Sequence, residues 1–130
     1  MLKANADARR RAATVQFTVD AQKRLVNVRI AHRVTAADFE RLARDLRSHP
    51  EFKDDFSEVA DFTEMDDIDL QAEEMLKLAD RIDPFSGQAR RAFVVRTKSQ
   101  RYLARMHRTL HPANIQIFES IEEAQRWINL

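Results

Sequence analysis

Stretches of period-two hydrophobicity alternate along this chain with stretches of helical period, and that alternation restricts it to an α/β fold. Residues 14–19 place Val15, Phe17 and Val19 on one face, residues 20–23 are turn-like, and residues 25–30 resume a strand, so a hairpin opens the domain. Thr35 and Asp38 predict the start of a first helix whose buried stripe is Phe39, Leu42, Ala43 and Leu46, with Pro50 beyond its end. Residues 58–62 read as a short buried strand, and Asp69 as the cap of a second helix burying Ala72, Met75, Leu76 and Ala79. Residues 92–95 form the most convincing central strand. Thr97 and Gln100 then open a helix that buries Leu103, Met106 and Leu110. A strand over 115–118 and a capping box of Ser120 with Glu123 complete the chain, the last helix burying Ala124, Trp127 and Ile128.

The predicted order is β-β-α-β-α-β-α-β-α, giving a mostly parallel five-stranded sheet with one antiparallel edge strand. Residues 1–13 read as a flexible basic tail and residues 14–130 as one domain.

Composition removes several classes of function. Gly87 is the only glycine in 130 residues, so the glycine-rich loops of phosphate and dinucleotide sites are excluded. No cysteine is present, which rules out disulfides and thiolate chemistry and fits a reducing cytoplasm. No apolar run nears the roughly 20 residues of a membrane span. A net charge of +1 argues against nucleic acid.

Local charge is far from balanced. Between Glu64 and Asp83 stand eight acids against Lys77 and Arg81, whereas residues 88–111 carry seven arginines and lysines and no acid. Arg101, Arg105 and Arg108 share one helical face, either paired with the neighbouring acids or open to an acidic or anionic partner. His107 and His111 have a spacing that can serve a metal, but no accompanying Glu, and the place of His111 at a helix C-terminus accounts for it more simply. Asp66, Asp67 and Asp69 read as helix-terminal acids rather than a calcium loop. No serine lies in a glycine-flanked elbow, so no catalytic residue, metal or cofactor is expected.

Several stretches, in order and spacing, carry a family resemblance: Val34-Thr35-Ala36-Ala37-Asp38-Phe39, Val59-Ala60-Asp61-Phe62, Arg91-Ala92-Phe93-Val94-Val95 and Tyr102-Leu103-Ala104-Arg105-Met106. The ending Phe118-Glu119-Ser120 with Glu123-Ala124-Gln125-Arg126-Trp127-Ile128 joins them. Over roughly residues 14–130 the chain resembles the SpoIIAA-like family, related to STAS domains and more distantly to the CRAL-TRIO (Sec14-type) lipid-binding fold. The resemblance implies a bacterial, non-enzymatic domain for protein regulation, with distant relatives that hold apolar ligands. STAS regulators carry a phosphorylatable serine in an Asp-Ser-Ser-Gly-like stretch; here the corresponding residues 65–71 have neither hydroxyl nor glycine, and Thr63 is the nearest hydroxyl.

In open parallel sheets ligands sit beyond the carboxyl ends of the strands. That rule places His32, Phe62, Thr63, Arg96 and Thr97 on one rim, with Met65, Met75, Tyr102 and Met106 beside it. The expectation is a module for a small apolar or lipid-like ligand with peripheral membrane contact, Arg101, Arg105 and Arg108 facing the anionic end. The alternative is a STAS-type protein–protein regulatory domain, acting with a protein partner or as a homodimer.

Overall fold

The computed structural model describes residues 12–69, 74, 81–110 and 114–130. Five strands form one sheet in the order β1-β2-β3-β4-β5: Thr14–Asp20, Leu25–Thr35, Ser57–Asp69, Arg90–Val94 and Asn114–Phe118. β1 runs antiparallel to β2, and every later neighbour is parallel. The described helices are α1 (Ala36–Ser48), α2 (Lys98–Leu110) and α3 (Ile121–Ile128). The stripe expected for a helix after β3, Ala72, Met75, Leu76 and Ala79, lies outside the described residues.

Strand parity divides the core between the two faces of the sheet. Val28, Ile30, Ala60, Phe62, Phe93 and Ile115 pack on one face against Leu46 of α1 and Leu103 of α2. Val59, Ala92 and Val94 pack on the other against Ala124, Trp127 and Ile128 of α3. Each fully buried Val, Leu, Ile or Phe among them contributes roughly 1.5–3 kcal/mol.

Local chemistry sets the helix boundaries. At the start of α1 the Asp38 carboxylate accepts the Thr35 backbone N–H at 2.9 Å and its hydroxyl at 3.0 Å. Ser120 Oγ accepts the Glu123 N–H at 3.2 Å and starts α3. Thr97 Oγ1 accepts the Gln100 N–H at 3.2 Å and does the same for α2.

β3 corrects the sequence reading. The strand continues through residues 63–69, and Asp69 ends it, paired with Thr35 of β2, instead of capping a helix. Register shifts lie between Arg29 and Ala31 and between His32 and Val34, and β3 advances three residues for two of β2 at each. The extra residue resets the inward parity, so that Phe62 and Met65 are both buried although three positions apart. Period-two patterning therefore fails at Phe62 while the strand does not. His32, between the shifts, has a positive φ of 67° and faces Asp66 at 3.9 Å.

Candidate functional site

Three constellations of side chains stand out, two closed and one open. The first sits where β3 outruns β4, whose pairing stops at Asp61 with Val94. Gln100, 1% exposed, fills the step. Its Oε1 accepts the N–H groups of Arg96 at 2.7 Å and Thr97 at 3.1 Å. Its Nε2 donates to the carbonyls of Thr63 at 3.2 Å and Met65 at 2.9 Å. Arg96 donates from Nη2 to the same Thr63 carbonyl at 3.0 Å. Thr63 gives its hydroxyl to Asp61 at 2.6 Å.

Phe62, Thr63, Met65, Arg96 and Thr97 are thus brought together. They meet as a hydrogen-bonded plug over two buried side chains, not as an open rim. Tyr102 and Met106 stand apart from it: Tyr102 is 64% exposed on the outer side of α2, and Met106 is half-buried against the core. Met75 lies outside the described residues. His32 meets Asp66, not the plug.

The second constellation lies on the core face. Arg91 donates from Nε to Glu58 at 2.9 Å and from Nη1 to Asp83 at 2.5 Å, and His107 Nε2 meets the same Asp83 oxygen at 2.8 Å. The Arg91 guanidinium also lies over the Phe85 ring, 4.5 Å from its centroid. Burial pushes the Glu58 carboxyl above its ordinary range, and the Arg91 charge only partly offsets this. Burial pushes Asp83 the same way, but the hydrogen bond from His107 and the Arg91 charge win and hold it well below the carboxylate range. Burial disfavours the Arg91 cation, yet Glu58 and Asp83 together raise its affinity for the proton.

These groups border a cavity of about 80 Å³ whose other walls include Val28, Ile30, Phe39, Leu42, Phe62 and Phe93. Ligand sites run to roughly 300–1,000 Å³. Among the described residues every buried side-chain nitrogen and oxygen has a partner, so the charges answer one another and leave none to a guest.

The third constellation is the outer face of α2. Gln100, Leu103 and Ala104 are buried, which turns Lys98, Tyr102, Arg105, Arg108 and Thr109 outward. Arg101, beside them, pairs with Glu119. Arg105 and Arg108 make no ion pair with the described residues.

Sequence reasoning put Arg101, Arg105 and Arg108 on one helical face and Tyr102 beside the ligand rim. It missed Lys98 and, on the core face, the union of Glu58, Asp83 and Arg91 with His107. A signal for part of that union exists: Glu58 and Arg91 share the inward parity of Ala60, Phe62, Phe93 and Val95 on adjacent strands, paired across the ladder. Two opposite charges on the core side of neighbouring strands call for each other.

Sheet order, the antiparallel first pair and helices on both faces define a small α/β domain of STAS-like architecture. The chain belongs to the SpoIIAA-like family, whose model matches residues 25–129. A crystal structure of an uncharacterised Shewanella loihica protein with a SpoIIAA-like fold is 20% identical, with a TM-score of 0.58 over 90% of this chain and 94% of that one. An anti-sigma factor antagonist from Mycobacterium paratuberculosis is 10% identical, with a TM-score of 0.61 over 92% of this chain and 96% of that one. The comparison with curated proteins gave no match. Among the described residues no helix is long and apolar enough to cross a membrane.

Proposed function

We propose that this chain is a non-catalytic regulatory domain that docks an acidic protein partner through the outer face of α2. The observation that carries the reading is an exposed Tyr102 flanked by Lys98, Arg105 and Arg108, none of them ion-paired to the described residues. Tyr and Arg are the side chains that most often dominate interface energetics, because a rigid ring or a planar fork loses little entropy on docking. The likeness in fold to a protein named as an antagonist of an anti-sigma factor supports action on another protein. Thr63, the nearest counterpart of a phosphorylated STAS serine, is half-buried with its hydroxyl held by Asp61, so the reading assigns it no switch.

A module for a lipid-like ligand has less support. The cavity is several-fold too small, and Phe62 and Met65 are core residues at 6% and 2% exposure. Membrane contact through α2 is disfavoured on similar grounds. An interfacial helix inserts its apolar face, and that of α2 is occupied by the sheet.

The test begins by capturing the partner with a photo-cross-linking residue at position 102, then titrating the purified partner. Arg105→Glu with Arg108→Glu is expected to weaken binding at least about tenfold and to flatten its salt dependence. Equal affinity of the charge-reversed domain would refute the reading.

A further inference from the structure

Among the described residues β1 is an outer strand of the sheet, and along Thr14–Asp20 it carries no Lys, Arg, Pro or Gly. Edge strands are normally guarded by such residues or by bulges, because unpaired N–H and C=O groups invite another strand. β1 has neither guard: its register with β2 runs unbroken from Thr14 with Ala31 to Asp20 with Leu25. Alternate N–H and C=O groups of an antiparallel edge strand point away from its one neighbour.

The side chains are unfinished in the same direction. Val15, Phe17 and Val19 belong to the core face yet are only half-buried, whereas their β2 neighbours Val26, Val28 and Ile30 are 0%, 3% and 2% exposed. The opposite edge differs. β5 is five residues long, and its Ile115 is already 2% exposed beneath the helical layer.

We propose that β1 pairs antiparallel with β1 of a second copy of this chain, joining two sheets about a two-fold axis. The strand is self-complementary. Centred on Phe17, the pairing sets Val15 against Val19, Gln16 against Thr18 and Thr14 against Asp20, with no like charges opposed and the apolar row continuous on one face. A contact built on one strand pair falls below the roughly 1,200 Å² at which stable interfaces begin, so the dimer is weak and concentration-dependent. This edge is separate from α2, and the pairing stands or falls independently of the acidic-partner reading.

The test uses the full chain, with hydrogen exchange and sedimentation velocity followed from low micromolar to millimolar protein. Slower exchange at the β1 amides with rising concentration, in step with dimer formation, is the expected result. Gln16→Lys with Thr18→Lys, and Gln16→Glu with Thr18→Glu, each place like charges opposite one another at exposed positions and should weaken the dimer about tenfold. An equal mixture of the two variants should restore it, which separates lost pairing from lost folding. β1 protection that ignores concentration, β1 amides left open at every concentration, or a dimer that protects other segments would each overturn the proposal.

Discussion

Arg91 and Asp83 are joined at 2.5 Å with side chains only 5% and 2% exposed, and this contact fastens the segment ahead of β4 to the sheet itself. Glu58 holds the other side of the guanidinium from β3, and His107 reaches the same Asp83 from α2. Arg91 therefore ties two strands and a loop together, and Asp83 passes the connection on to the helix proposed to dock a partner. The position of α2 depends on a charge cluster as well as on apolar packing.

Removing the cation should be far more damaging than removing a pair. Arg91→Met leaves the buried Glu58 carboxylate without its cation and Asp83 with His107 but no arginine, and is expected to lower stability by about 3–5 kcal/mol in urea unfolding. Adding Glu58→Leu to that variant should recover part of the loss, because one orphaned charge is gone. A double variant less stable than Arg91→Met alone would contradict this account of the cluster.

The two carboxylates should leave opposite marks on the pH profile of stability. Asp83 is held below its ordinary 3.8, so it contributes stability above that value which is lost as acid titrates the folded state. Glu58 is raised above 4.5, so its ionisation in the folded state weakens the fold as pH climbs from 4.5 through the raised value. Asp83→Asn should flatten the acid limb below about pH 4, and Glu58→Gln should remove the decline above 4.5. Urea midpoints across the acid range check both signs.

Gln100 should rank among the more sensitive polar positions of the fold. It bonds four backbone groups from two segments that strand pairing leaves unmatched. Gln100→Leu keeps the volume but removes the partner of the Arg96 and Thr97 N–H groups and of the Met65 carbonyl, an expected loss of at least about 2 kcal/mol. Amide exchange should quicken specifically at Arg96 and Thr97. A uniform rise across the sheet would point instead to general loosening.

The outer face of α2 should behave in the opposite way. Arg105 and Arg108 are exposed and make no ion pair with the described residues, so Arg105→Glu and Arg108→Glu are each expected to move stability by less than about 0.5 kcal/mol. Melting temperatures close to that of the unmodified protein would leave these substitutions usable as probes of binding alone.

What could be read from the residues followed the range of the interactions that decide them. The opening hairpin, α1 with Asp38 bonded to Thr35 and the capping of α3 by Ser120 rest on contacts between segments close in sequence, and β4 shows as an unbroken apolar run, so their signals are local. The extension of β3 through Asp69 was hidden because its inward positions, Phe62 and Met65, are set by register shifts that exist only when β2 lies alongside. The acids at 66, 67 and 69 then read as a helix start. Phe62, Thr63, Arg96 and Thr97 lie together while His32 does not, and Gln100, which closes the group, acts on carbonyls more than thirty positions away. The arginines of α2 were legible from spacing. That Arg101 is tied to Glu119 while Arg105 and Arg108 stay free of the described acids depends on packing.

The most direct test of the central claim is a scan with a photo-cross-linking residue in living cells, placed in turn at positions 102, 105, 16 and 122. A protein-acting domain that works through α2 should yield the same discrete partner at 102 and 105, and not at 16 on β1 or 122 on α3. Partner adducts confined to β1 or α3, or no adduct at 102 and 105, would contradict the account.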